Sequence, residues 1–170
     1  MLARVTVPVS LIVALALAVP ASAAELSVTK VRLRQNSSGQ GDNSVLRMQA
    51  FFVTTPPSDV FNAANGVTIR VQDAIATDKS VTWLSADCVA VGGKTKCLGG
   101  GAKYVYLQVK PLRGIPEAFA VTMKVRKLNL AGPFDGPVTV TVTETGSGVD
   151  RVGSISDCVL RVSGLACRAF

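Results

Sequence analysis

A chain of 170 residues holds one ordinary domain or two very small ones, and its formal net charge of +7 comes with no histidine at all. Without histidine, Ser-His-Asp and Cys-His nucleophile systems lose their usual base, and zinc sites lose their commonest nitrogen ligand. Aromatic residues make up 5% of the chain, too few for the stacking platforms of single-stranded nucleic-acid binders, so the positive balance reads either as an attraction for acidic partners or as a solubility device.

The N-terminus has the three parts of a secretory leader: a basic start at Arg4, an apolar centre over 11–19, and Ala21-Ser22-Ala23. The apolar run is well short of the ~20 residues that cross a bilayer as a helix. Cleavage after Ala23 is expected, which makes the mature protein secreted or periplasmic, without a membrane span. The assignment is therefore 1–23 signal peptide.

Beyond Ala23 the chain reads as strands. Lys30, Arg32 and Arg34 alternate with Val31 and Leu33, and Leu46, Met48, Ala50 and Phe52 alternate with Arg47, Gln49 and Phe51. The same period of two recurs at Val67-Ile69-Val71, Val105-Leu107-Val109, Val121-Met123-Val125 and Val138-Val140-Val142. A period of two marks half-buried strands with one face inward, and β-branched residues suit that pleated surface. Gly, Pro, Ser and Asn cluster at 35–43, 54–59, 98–102, 132–137 and 145–148, breaking the chain too often for long helices. One marginal helical turn fits around 60–64. Trp83, the single Trp, is expected in the core. It does not lie between two widely spaced Cys, as it does in an antibody domain.

The two halves can be laid over one another. The runs at Val67–Val71 and Val138–Val142 each lead to an Asp-Cys pair, Asp87-Cys88 and Asp157-Cys158, and each Cys has a second one nine positions on, Cys97 and Cys167. Upstream, Ser44–Val53 matches 119–128, and Val31 and Leu33 match Val105 and Leu107. The expected fold is all-β: two similar antiparallel, sandwich-like modules packed in tandem, module 1 over 24–101 and module 2 over 102–170, each with a disulfide-bridged hairpin. The modules form either separate small sandwiches or two halves of one core.

Four Cys allow three pairings, and the repeat favours Cys88–Cys97 with Cys158–Cys167. If Gly92-Gly93 is a two-residue turn, Cys88 falls opposite Cys97 at a non-hydrogen-bonded site, where Cα atoms approach to ~4.5 Å. In the second hairpin, two registers fit. A turn on Val162-Ser163 opposes Cys158 and Cys167, whereas a three-residue loop ending in Gly164 offsets them. Export favours oxidised pairs, and the spacing is neither C-x-x-C nor that of a zinc knuckle.

No catalytic set emerges. Asp87 and Asp157 precede equivalent Cys and suggest a shared turn role rather than an acid–base pair across one cleft. Asp73 and Asp78 lie in one loop, but the D-x-D-x-D-G calcium pattern is absent. Lys30, Arg32 and Arg34 share one strand face, as do Lys124 and Arg126, and together they form a candidate basic sheet face. The ordinary alternative is a solvated face, or edge strands guarded by charge. The chain is expected to be a non-enzymatic binding or structural module with no metal or cofactor. Its rivals are a carboxylate-dependent hydrolase of the cell envelope and a binder of acidic polymer through the basic face. An acidic polymer or an envelope protein is the partner class.

Overall fold

A computed structural model describes residues 23–35, 44–99, 105–130 and 132–169. All but the last residue of the expected signal peptide 1–23, most of the Ser/Gly/Asn-rich stretch at 35–43 and most of the glycine-rich junction at 98–102 lie outside the described residues.

Among the described residues, thirteen strands account for nearly all regular structure. In chain order they are β1 (Ala24–Glu25), β2 (Ser27–Arg34), β3 (Ser44–Val53), β4 (Gly66–Gln72), β5 (Asp78–Leu84), β6 (Cys88–Val91), β7 (Lys94–Leu98), β8 (Val105–Pro111), β9 (Ala118–Leu128), β10 (Val138–Glu144), β11 (Asp150–Ile155), β12 (Cys158–Arg161) and β13 (Gly164–Arg168). The only helical pieces among the described residues are single 3₁₀ turns at Ala63–Asn65 and Ser85–Asp87. None is long enough to cross a membrane.

The strands form two open sheets. One runs β1-β11-β10-β4-β5, and the other runs β12-β13-β2-β3-β9-β8-β7-β6. Their inward residues merge into a single core. From the larger sheet come Val31, Leu33, Leu46, Met48, Phe52, Leu107, Val121, Met123 and Val125. From the smaller come Val67, Ile69, Val71, Trp83, Val138, Val140 and Val142. Every alternating run therefore points its apolar set inward, and Trp83 is fully enclosed.

The stretches 24–101 and 102–170 share that core. Strands from both enter both sheets: β3 pairs with β9, and β4 pairs with β10. The hairpin β6–β7 continues the sheet from β8, while β12–β13 continues it from β2. Counted outward from the central β3/β9 pair, the large sheet runs β2-β13-β12 one way and β8-β7-β6 the other.

Both hairpins carry their disulfide, with Cα–Cα distances of 4.0 Å. In the first, Val91 faces Lys94, Ala90 faces Thr95, Val89 faces Lys96 and Cys88 faces Cys97, around Gly92 and Gly93 at φ of 58° and 70°. This is the register a Gly-Gly turn requires, since both central residues sit in the left-handed region. In the second, Cys158 faces Cys167 and Arg161 faces Gly164, so the turn centres on Val162-Ser163 without an offset. Gly164 has a different task from loop closure. A Cβ there would lie 2.0 Å from the Leu33 carbonyl oxygen, so the glycine lets β13 seat against β2.

Candidate basic face of the eight-stranded sheet

Because β2, β3 and β9 are neighbours, the outward residues of three strands form one surface. Arg32 stands opposite Arg47, and Arg47 stands opposite Lys124, with Tyr106 next in the same row. One row over, Arg168, Lys30, Gln49, Thr122, Gln108 and Lys96 follow one another across six strands. On the other side, Gly164, Arg34, Val45 and Arg126 form a third row. All five cations expected from the sequence therefore share this face. The sheet order adds Arg47, Lys96, Arg161 and Arg168.

Like charges directly opposite on neighbouring strands repel, and among the described residues no ion pair with a carboxylate relieves this row. Among the described residues, the ion pairs are Arg70–Asp78 and Arg151–Asp59, and neither touches this face. The nearest acid in the register is Asp157, at the outer corner beyond Arg168, whose backbone N–H donates to the Asp157 carbonyl. The crowding shows in Lys124. Arg126, partial loss of solvent and Arg47 together hold its ammonium below the ordinary lysine pKa.

The face has relief. A depression of about 220 Å³ is lined by Lys30, Arg47, Gln49, Tyr106, Thr122 and Lys124. A second, of about 350 Å³, lies towards the β12 edge among Lys30, Arg32, Ala166, Arg161 and Arg168. The Tyr106 hydroxyl donates to Gln108 Oε1 at 2.5 Å, which fixes the ring in its row.

The outer face of the smaller sheet differs in kind. Its hydroxyls pair with one another or with acids: Thr68 with Thr82, Thr139 with Ser154, and Thr143 to Asp150. Its Arg70 is held bidentately by Asp78, at 2.8 and 2.6 Å. Unbalanced positive charge is thus concentrated on the larger sheet.

Three of the four carboxylates singled out by sequence are occupied locally. Asp73 accepts the N–H groups of Ile75, Ala76 and Thr77 and the Thr77 hydroxyl. Burial pushes its carboxyl up, but these bonds outweigh burial and hold it below the ordinary value. Asp78 is engaged by Arg70, which lowers its carboxyl. Asp87 accepts the Leu84 N–H and closes its own 3₁₀ turn. Asp87 and Asp157 flank opposite edge strands, β6 and β12, separated by seven strand spacings or roughly 34 Å at about 4.8 Å each.

One buried polar cluster gives no sequence signal. Arg151 on β11 points into the sandwich, is fully enclosed, and pairs with Asp59. Its guanidinium lies 4.8 Å from the centroids of both Phe52 and Phe61. Nearby, buried Glu144 accepts the Asn62 backbone N–H at 2.8 Å and the Asn65 side-chain amide at 2.7 Å. These contacts fasten the segment between β3 and β4 to the smaller sheet. They leave no accessible reactive group.

Compared with protein-family models, with curated proteins and with solved structures, the chain shows no match in any of the three. The basic face is therefore read from its own geometry.

Proposed function

We propose that the protein is an exported, non-enzymatic binding protein that holds an acidic polymer across the basic face of its eight-stranded sheet. The observation that carries this reading is the row Arg32–Arg47–Lys124, like charges opposed on three adjacent strands with no carboxylate among the described residues to neutralise them. Such a row weakens the free protein and gains its compensation from an anion laid over it. The outward surface from β12 to β8 is about 24 Å wide at about 4.8 Å per strand, room for several charged groups of one chain. Export is supported by the leader-like 1–23, and two disulfides are the mark of an oxidising compartment.

Affinity for heparin, as a generic dense polyanion, tests the reading. Binding is expected to fall steeply as salt rises, because most of the attraction comes from displaced and screened ions. The double variant R47Q/K124Q is expected to bind at least about tenfold more weakly, since it removes two charge-assisted contacts. Salt-independent retention, or unchanged affinity in that variant, overturns the reading.

A further inference from the structure

The cations of this face are not spread evenly. Along β13, the outward positions between the flanking charges are Ala166 and Gly164, the smallest side chains available. Ala166 lies opposite Arg32 on β2, and Arg168 lies opposite Lys30 in the next row. On the other side of Gly164 stands Arg161, on β12. A floor without bulk, ringed by long cationic side chains from three strands, produces the depression of about 350 Å³ between Lys30, Arg32, Arg161 and Arg168. Beside it, the outward residues of β2 and β3 are larger, and the next depression, of about 220 Å³ over β3 and β9, is lined by Arg47, Gln49, Tyr106, Thr122 and Lys124.

Three guanidiniums and one ammonium around one hollow exceed what a carboxylate can use. A carboxylate offers two oxygens in one plane, whereas a phosphate or sulfate ester offers three oxygens pointing in three directions. Each arginine brings five N–H donors in a planar fork, suited to paired contacts with such oxygens. The flexible side chains rise from a rigid floor: Cys167 on β13 is disulfide-bonded to Cys158 on β12, fixing the two strands that carry Arg161 and Arg168.

We propose that this depression is a dedicated subsite for a tetrahedral oxyanion ester, phosphate or sulfate, borne by the acidic polymer. The inference rests on the polyanion reading and adds to it a chemical class and a place. The rest of the face, centred on Arg47 and Lys124, then serves any anionic chain, while the β12–β13 hairpin selects those carrying tetrahedral esters.

The test uses the full, oxidised protein with two kinds of probe. Inorganic phosphate and inorganic sulfate are titrated separately, with amide chemical shifts as the readout. Shifts concentrated at Lys30, Arg32, Arg161, Ala166 and Arg168 support the subsite, and the stronger of the two anions identifies the ester. Shifts centred on Arg47 and Lys124, or absent altogether, overturn it. In parallel, heparin is compared with polygalacturonate, a carboxylate-only polymer. R161Q/R168Q is expected to weaken heparin about tenfold while changing polygalacturonate less than about twofold. Equal weakening of both polymers overturns the selective role. R113Q, a charge change on the turn after β8, controls for net charge and is expected to change neither. The two proposals fail separately: polymer binding without a localised phosphate or sulfate response sinks the subsite alone, and a localised response without polymer binding sinks the polyanion reading alone.

Discussion

Arg47 and Lys124 stand directly opposite each other on β3 and β9, at the centre of the larger sheet, with Arg32 facing Arg47 from the other side. Arg70, on the outer face of the smaller sheet, takes a carboxylate bidentately. Among the described residues no such ion pair involves Arg47, and the proposed binding face rests on that contrast. If that repulsion is real, neutralising one member stabilises the free protein. R47Q and K124Q are each expected to raise the midpoint of thermal unfolding slightly. The gain should shrink between about 10 mM and about 1 M salt, as the screening length falls from ~30 to ~3 Å. Fluorescence of buried Trp83 reports the transition. A lower midpoint for both variants at low salt contradicts the repulsion.

The lowered pKa of Lys124, set by Arg126, partial loss of solvent and Arg47, gives a second handle on the same repulsion. Its folded value lies below its unfolded one, so the protonated form is the disfavoured one in the fold. The penalty is present while Lys124 is charged, and it is relieved as pH rises through the folded value towards the unfolded one. Stability relative to K124Q should therefore improve over the alkaline range just below the ordinary lysine value of about 10.4. A bound polyanion reverses the shift, so heparin binding in that range should take up protons. Calorimetry in two buffers of different ionisation enthalpy measures this, and proton release on binding goes against it.

Asp73 provides a pH response of the opposite sense. Its carboxylate caps the turn between β4 and β5 through the N–H groups of Ile75, Ala76 and Thr77 and the Thr77 hydroxyl. The folded pKa is depressed, so the contribution is fully present above the unfolded value of about 3.9 and is lost as pH falls through the folded value. D73A is expected to cost about 1 kcal/mol near neutrality, the usual worth of a side-chain cap. The gap to wild type should close as pH falls through that lowered folded value. Urea denaturation at neutral and acid pH checks it, and a gap that persists unchanged in acid rules out the carboxylate as its source.

Arg151 and Asp59 are a different kind of pair, enclosed rather than exposed. Removing one partner strands the other charge in the core. R151M alone is expected to cost roughly 3–5 kcal/mol, as breaking a buried pair does. The double variant R151M/D59N should be less destabilised than the sum of the singles, because no orphan charge remains. A double-mutant cycle by urea unfolding, again followed through Trp83, measures the coupling. Simple additivity dissolves the pair as an energetic unit.

Much of this architecture is legible in the chain, because alternation states which side chains share a face. Val31 and Leu33 must lie opposite Lys30, Arg32 and Arg34, whatever the sheet order. The first hairpin is legible to the residue, because Gly92-Gly93 sets the register that brings Cys88 to Cys97. The second hairpin fits two registers in the sequence, since Gly164 resembles a loop glycine but is required by the close approach of β13 to the Leu33 carbonyl. What the chain conceals is which strands become neighbours. Arg47 becomes the link between Arg32 and Lys124 only because β3 lies between β2 and β9. Likewise, Arg161 and Arg168 join the face only because β12–β13 docks on β2. Arg151 reads as one more surface charge on an alternating strand. Its partner Asp59 lies 92 residues away, and no local pattern announces a contact of that range.

That sheet order also predicts how the two stretches of chain hold together. Besides the short β1–β11 pair, four strand pairings join residues before the 100–104 junction to residues after it: β3 to β9, β4 to β10, β2 to β13 and β7 to β8. The inward faces of all these strands belong to one core. Neither stretch can leave without exposing buried apolar surface and opening ladder hydrogen bonds along both sheets. A protease site placed within 100–104 and cut in the folded, oxidised protein should therefore yield two fragments that still elute together in gel filtration and melt in one transition. The disulfides do not tie the fragments, since each closes within its own stretch. Co-elution must then persist when both bonds are intact and no covalent link crosses the cut. Fragments that separate in native buffer would mean that the two stretches stand as independent modules.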